Sequence, residues 1–223
     1  MKTFFIKHFK FAIYLIVLIE FNSSYAGSYD DFFKALRMDD TATVKQLLAR
    51  GFDVNTLDPQ GQHGLAIAIR EASPNVASLL VDASKIDLNV QTTQGESPLM
   101  LAALKGQLAL AEKMVKNGAD VNKTGWTPLH YAASNGHLPL IRLLIENYAY
   151  IDAESPNGTT PLMMASMYGS PEAVKLLLDE GADPLLKNQQ GLTALQFAQR
   201  ANRPDAIELL LKVVRSKQAT GKW

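Results

Sequence analysis

Chemistry in a soluble chain begins with histidines, cysteines, carboxylates and nucleophiles at workable spacings, and this 223-residue sequence offers few of them. Its histidines are His8, His63, His130 and His137. No two stand at the spacing that lets one face hold a metal, and no carboxylate motif accompanies them. There is no cysteine, which excludes thiolate nucleophiles, thiolate metal sites and a disulfide framework. Serines and aspartates are common, yet none sits in a nucleophile elbow or a recognisable triad. Asp82 with Asp87, and Asp179 with Glu180, look like solvated positions and not an acid and its base. The residues therefore argue against an enzyme and call for no metal and no cofactor. Function becomes a question of which side chains the fold presents to a partner.

The elements that would present them repeat. Reading from a glycine, the segments are Gly95-Glu96-Ser97-Pro98-Leu99, Gly125-Trp126-Thr127-Pro128-Leu129-His130, Gly158-Thr159-Thr160-Pro161-Leu162, Gly191-Leu192-Thr193-Ala194-Leu195, and a degenerate Gly61-Gln62-His63-Gly64-Leu65. Their leucines lie 34, 30, 33 and 33 residues apart. A period near 33 carrying T-P-L-H-x-A resembles the ankyrin repeat, a β-turn followed by two antiparallel helices. The resemblance covers residues 28–214 and is specific, because several elements recur in order at fixed offsets. It implies an all-α repeat solenoid of about six units, counting degenerate caps.

Each element has a physical job. Ser97, Thr127 and Thr160 precede proline and read as helix N-caps, with the proline at a position that loses no hydrogen bond. Small pairs, Ala102-Ala103, Ala132-Ala133 and Ala165-Ser166, let neighbouring first helices approach closely. Second helices start near Pro74, Pro139, Pro171 and Pro204. Their apolar stripes are Ile141-Leu144-Ile145, Val174-Leu177-Leu178 and Ile207-Leu210-Leu211, the i, i+3, i+4 spacing of a buried face. Gly51, Gly118 and Gly181 follow these helices, where a left-handed residue closes the C-terminus.

Departures from the pattern carry expectations of their own. His63-Gly64 replaces Thr-Pro, so the first helix of the second unit is expected to start weakly. Ser84 stands at that unit's closing glycine. Tyr148 stands at the fourth unit's, where left-handed backbone is costly for an aromatic and a different helix end is expected. The turn from Asn122 to Gly125 is three residues shorter than that from Asn55 to Gly61. The units are placed at 28–55 (N-cap repeat), 56–89, 90–122, 123–152, 153–185 and 186–215 (C-cap repeat), within a repeat domain of 27–215. A flexible tail is expected over 216–223.

Residues 1–26 differ in composition. Lys2, Lys7 and Lys10 form a basic start, Phe11 to Ile19 an unbroken apolar run, and Ser24-Tyr25-Ala26 a small-x-small site. These are the parts of a secretory signal peptide, with a membrane anchor as the competing reading. The apolar run is short of the ~20 residues an ordinary spanning helix needs. Cleavage after Ala26 predicts a periplasmic or secreted protein, with no stable membrane insertion once the leader is gone. The 22 basic and 22 acidic residues become 19 and 21 without it, and the basic ones form no stripe. A domain at net −2 has no electrostatic footprint for nucleic acid.

In ankyrin proteins the hairpin tips and the exposed side of the first helix line a concave groove that binds proteins. Carried onto this chain, that resemblance implies a groove containing Trp126, Leu104, Lys105, Glu96, Met167, Tyr168, Leu192, Asn135 and Arg200. Trp126, Leu104, Met167, Tyr168 and Leu192 are large apolar residues in consecutive units, and such patches commonly mark interaction sites. The short turn before Trp126 is expected to set the indole near the groove floor beside Leu104 and Tyr168, ringed by Lys105, Glu96, Asn135 and Arg200. The competing reading has these residues packing between repeats. His130 and His137 sit at family positions whose rings bond across repeats. The protein is expected to be a monomeric, exported, non-catalytic module that binds a protein partner in a bacterial periplasm; the alternatives are a secreted effector acting on host proteins and a periplasmic immunity or stress-protection protein.

Overall fold

In the computed structural model, which describes residues 27–220, the repeats become helix pairs. Among the described residues there are twelve helices, no strand, and one isolated antiparallel bridge between Leu57 and His63. The helices are α1 (27–37), α2 (Thr41–Ala49), α3 (Gly64–Arg70), α4 (Pro74–Val81), α5 (Pro98–Lys105) and α6 (Leu108–Lys116). They continue as α7 (Pro128–Ser134), α8 (Leu138–Glu146), α9 (Pro161–Tyr168), α10 (Pro171–Asp179), α11 (Ala194–Arg200) and α12 (Pro204–Thr220). The expected leader lies outside the described residues.

Stacking is strictly between neighbours. Inner helices α3, α5, α7, α9 and α11 touch in that order, and outer helices α2, α4, α6, α8, α10 and α12 do likewise. Ala102, Ala103, Ala132 and Ala133 are fully buried between inner helices, where a larger side chain would hold the layers apart. Of the outer stripes, Ile141, Leu144, Val174, Leu177 and Leu210 are fully buried, and the remaining members are half-buried.

The inner helices start with one repeated device. Ser97 Oγ accepts from the Met100 N–H at 3.3 Å, and Thr160 Oγ1 from the Met163 N–H at 3.4 Å. The residue three positions into the helix answers by accepting the cap's own N–H: Met100 Sδ, His130 Nδ1, Met163 Sδ and Gln196 Oε1 all do so. This is a capping box in which sulfur, imidazole and amide interchange.

Three departures resolve differently from their sequence expectation. The α3 start is firm: His63 is buried, its Nδ1 accepts from the Leu65 N–H at 3.2 Å, and its Nε2 pairs with Asn55 Oδ1 at 3.1 Å. Side chains of α1 pack against that turn. A Cβ on Gly64 would meet Leu36 Cδ1 and Phe32 Cε1, each at 3.1 Å. After α4 the left-handed residue is Lys85, φ 68°, and not Ser84. Tyr148 does adopt left-handed backbone, φ 65°, so α8 ends as its glycine-closed counterparts do. Its N–H reaches Ile145 O and the Ala149 N–H reaches Leu144 O, both at 2.9 Å, as Gly118 and Ala119 do after α6. The last helix, α12, runs to Thr220, since no proline or glycine interrupts residues 205–220.

Candidate binding groove

The concave side is built from the first helices and the hairpins between repeats. Hairpins in four units close alike, by Asp58 N–H to Gln62 O (2.9 Å), Thr92 to Glu96 (2.9 Å), Ser155 to Thr159 (3.0 Å) and Asn188 to Leu192 (3.0 Å). Among the described residues no such bond closes the short turn before Trp126. The indole is half-buried and meets the His130 ring edge-on, with centroids 5.1 Å apart.

Trp126 forms one wall of a cleft of about 300 Å³ whose other lining comes from the two following repeats. Met164, Met167 and Tyr168 enter from α9 at i, i+3 and i+4, and Phe197 with Arg200 from α11 at i and i+3. Asn157 and Thr159 come from one hairpin, Asn188, Gln190 and Leu192 from the next. The two hairpins are tied together, Gln189 N–H to Asn157 O at 3.0 Å and Gln189 Nε2 to Pro156 O at 2.9 Å. The cleft wall is thus held by backbone as well as by side chains.

Of the nine candidates, five gather here: Trp126, Met167, Tyr168, Leu192 and Arg200. Tyr168 is 59% exposed, whereas Leu192 is only 9% exposed, so it is packing that floors the cleft and not a residue offered to solvent. The expected placement of Trp126 beside Leu104, ringed by Lys105, Glu96 and Asn135, is not what forms. The cleft opens toward the C-terminal neighbours α9 and α11, while α5 lies on the other side of α7. Glu96 is held elsewhere, by the Arg70 guanidinium at 2.7 Å and the Tyr131 hydroxyl at 3.4 Å. Asn135 Nδ2 turns back to Tyr131 O at 3.0 Å. Leu104 is half-buried, and its carbonyl faces His137 Nε2 at 3.4 Å. Lys105 is exposed at the end of α5, outside the cleft.

Sequence reasoning passed over Met164, Phe197 and Tyr131. All three stand four positions after the helix cap, one turn before the residues it chose, and that i−3 or i−4 relation was the available signal. Tyr131 belongs to the Arg70–Glu96 cluster; burial, with Glu96 beside it, pushes its phenol up from the ordinary value.

Among the described residues the histidines hold structural bonds. Thr159 O can only accept, so His130 Nε2 carries the proton and donates to it at 2.8 Å. Nδ1 is then the acceptor, receiving the Thr127 N–H at 3.2 Å and its hydroxyl at 2.8 Å. Burial lowers the His130 pKa to about 4, and burial lowers that of His63 as well. Among the described residues no group of three or more histidines, aspartates and glutamates is placed to hold a metal ion.

A helical solenoid with this repeat defines an ankyrin protein, and comparison with known proteins agrees. The family model described as "Ankyrin repeats (3 copies)" matches residues 32–124, 65–155, 110–188 and 149–220, so the chain belongs to the ankyrin repeat family. Ankyrin repeats are protein–protein interaction modules. The chain is 36% identical over 93 residues to protein phosphatase 1 regulatory subunit 27 of Mus musculus, a match spanning 40% of this chain and 60% of that protein. Among solved structures it is similar to a chain in the complex of a predatory endopeptidase from Bdellovibrio bacteriovorus with an immunity protein. That likeness has a TM-score of 0.71 and 29% identity, covering 82% of this chain and 97% of that one. It is similar also to the ankyrin repeat protein EF0377, at a TM-score of 0.73 and 29% identity over 81% of this chain and 96% of that one.

Proposed function

We propose that this protein is exported and captures a protein partner in its concave groove, without catalysis of its own. The observation that carries the reading is the cleft at Trp126, where an exposed tyrosine, half-buried tryptophan and methionines and one arginine converge. Aromatic side chains in a recess are the usual anchors of protein interfaces. The basic, apolar and small-residue segments of residues 1–26 support export, and a bacterial periplasm is the compartment proposed. Within it, the similarity to a chain of the endopeptidase–immunity protein complex favours a protective role, in which the captured partner is an enzyme.

Capture from the native cell envelope tests the reading. Trp126→Ala and Tyr168→Ala should each weaken retention of the same partner while circular dichroism stays unchanged. Folded variants that retain it at full strength would remove the groove from the argument. Mass spectrometry of the envelope protein should find a chain beginning at Gly27. A full-length chain confined to the cytosol ends the export half, and mature protein accumulating outside the cell favours the effector reading.

A further inference from the structure

The chemistry of the cleft narrows what it can hold. Its lining is largely apolar, with Trp126, Met164, Met167, Leu192 and Phe197. No aspartate or glutamate lines it, and its one charged group is Arg200. Among the described residues the Arg200 guanidinium has no ion pair or hydrogen bond, in contrast to Arg70, Lys113 and Lys175, which are paired with Glu96, Asp82 and Asp179. The asparagine acceptors on the hairpin side are already used, and only the exposed Gln190 keeps a free side-chain oxygen there among the described residues. Asn188 Oδ1 receives the N–H groups of Gln190 and Leu192, both at 3.0 Å, and Asn157 Oδ1 receives the Ser155 hydroxyl at 2.5 Å. The carbonyls of Asn157, Thr159 and Leu192 accept from Gln189, Ser155 and Asn188. What these asparagines leave for a ligand is their NH₂ groups, because each amide oxygen already accepts two hydrogen bonds, Asn157 Oδ1 taking the Thr159 N–H at 3.4 Å as well.

A largely apolar lining with one unpaired cation and spare amide donors suits an apolar side chain with a carboxylate next to it. We propose that the cleft binds an acidic segment of the protein partner, seating an aliphatic or aromatic side chain beside Trp126 and placing a neighbouring aspartate or glutamate on Arg200 and the Asn157 and Asn188 amides. The carboxylate belongs to a side chain and not to a chain end. The donors are side chains spread over two hairpins and a helix, whereas terminal carboxylates are captured by adjacent backbone N–H groups. The proposal rests on the groove being the binding face, and the test separates the two.

The purified protein, labelled at its methionine methyls, is titrated by NMR with end-capped peptides carrying adjacent leucine and aspartate, leucine and asparagine, or leucine and lysine. The aspartate peptide should shift the Met164 and Met167 methyls, with the other two binding about tenfold more weakly. Arg200→Gln, at an exposed site, should cost the aspartate peptide about tenfold and erase its advantage over asparagine, while Trp126→Ala weakens all three. If the methyls shift but the asparagine or lysine peptide binds as well as the aspartate one, or Arg200→Gln changes nothing, the acidic specificity is overturned and the groove stands. Tighter binding by a peptide ending in leucine with a free carboxylate overturns the side-chain assignment. Peptides that shift neither methyl overturn both the specificity and this cleft as the binding face.

Discussion

His130 Nε2 donates to the carbonyl of Thr159 in the following repeat at 2.8 Å, which makes one imidazole both the capping-box acceptor of α7 and a tie between units. Both bonds require the neutral ring. With a folded pKa of about 4 against 6.5, the unfolded chain binds a proton between those values that the folded chain does not. Stability should therefore be fully present above pH 6.5, fall as pH drops, and lose at most about 3 kcal/mol by pH 4 from this group. His130→Met keeps an acceptor of the kind Met163 supplies to Thr160 but loses the inter-repeat bond. It should cost about 1–3 kcal/mol at pH 7 and flatten the pH dependence, leaving the smaller slope that buried His63 contributes. Urea midpoints measured from pH 4 to pH 8 decide it; an equally steep profile in the variant would assign the slope elsewhere.

Leu144 on α8 is fully buried between outer helices. Leu144→Ala leaves a cavity that flanking helices cannot collapse into without unstacking, and should cost about 2–5 kcal/mol. Chemical denaturation followed by circular dichroism reads it. A loss below half a kcal/mol would mean the outer layer repacks freely, contrary to close packing.

Tyr148 holds left-handed backbone with its side chain 86% exposed, so strain there is repaid by no visible burial. Left-handed geometry costs a non-glycine residue roughly 1–2 kcal/mol, and the extra freedom of unfolded glycine takes back part of it. Tyr148→Gly should raise stability by about 0.5–1 kcal/mol. A thermal midpoint below that of the parent chain would show that the ring packs usefully after all.

The parts that could be read from sequence are those set by local rules. Proline after Ser97, Thr160 or Ser170 starts a helix, and glycine at 51, 118 and 181 ends one, whatever lies nearby. The His63-Gly64 start depends on non-local contacts: Phe32 and Leu36 of α1 crowd the Cβ position of Gly64, and Asn55 holds the His63 ring. The cleft divides the same way. Trp126, Met167 and Tyr168 are marked by repeat position, but position does not say which neighbour a turn faces or that Arg70 claims Glu96. Those choices depend on how successive repeats rotate, and no single repeat encodes that.

The base of each hairpin carries a residue that reaches into the next unit, and here replacement of one atom has a calculable result. Asn55 donates to Lys85 O at 2.7 Å and accepts the Asp87 N–H at 2.9 Å. Asn122 repeats this with Tyr148 O at 2.8 Å and the Tyr150 N–H at 2.9 Å. Asp152, one unit later, has no amide to donate, and its carboxylate accepts the Asp183 N–H at 3.1 Å. The chain thus contains its own comparison of asparagine with aspartate at this position. Asn122→Ala removes both inter-repeat bonds and should cost about 1–2 kcal/mol; Asn122→Asp keeps the acceptor and should cost less than about 1 kcal/mol. Because repeats touch only their neighbours, the loss is confined to one junction, and amide exchange should quicken around 145–151 before it does in α3 or α11. Equal losses for the two variants would place the whole effect on the bond to Tyr148 O, and no loss from alanine would show that this tie follows from stacking and does not support it.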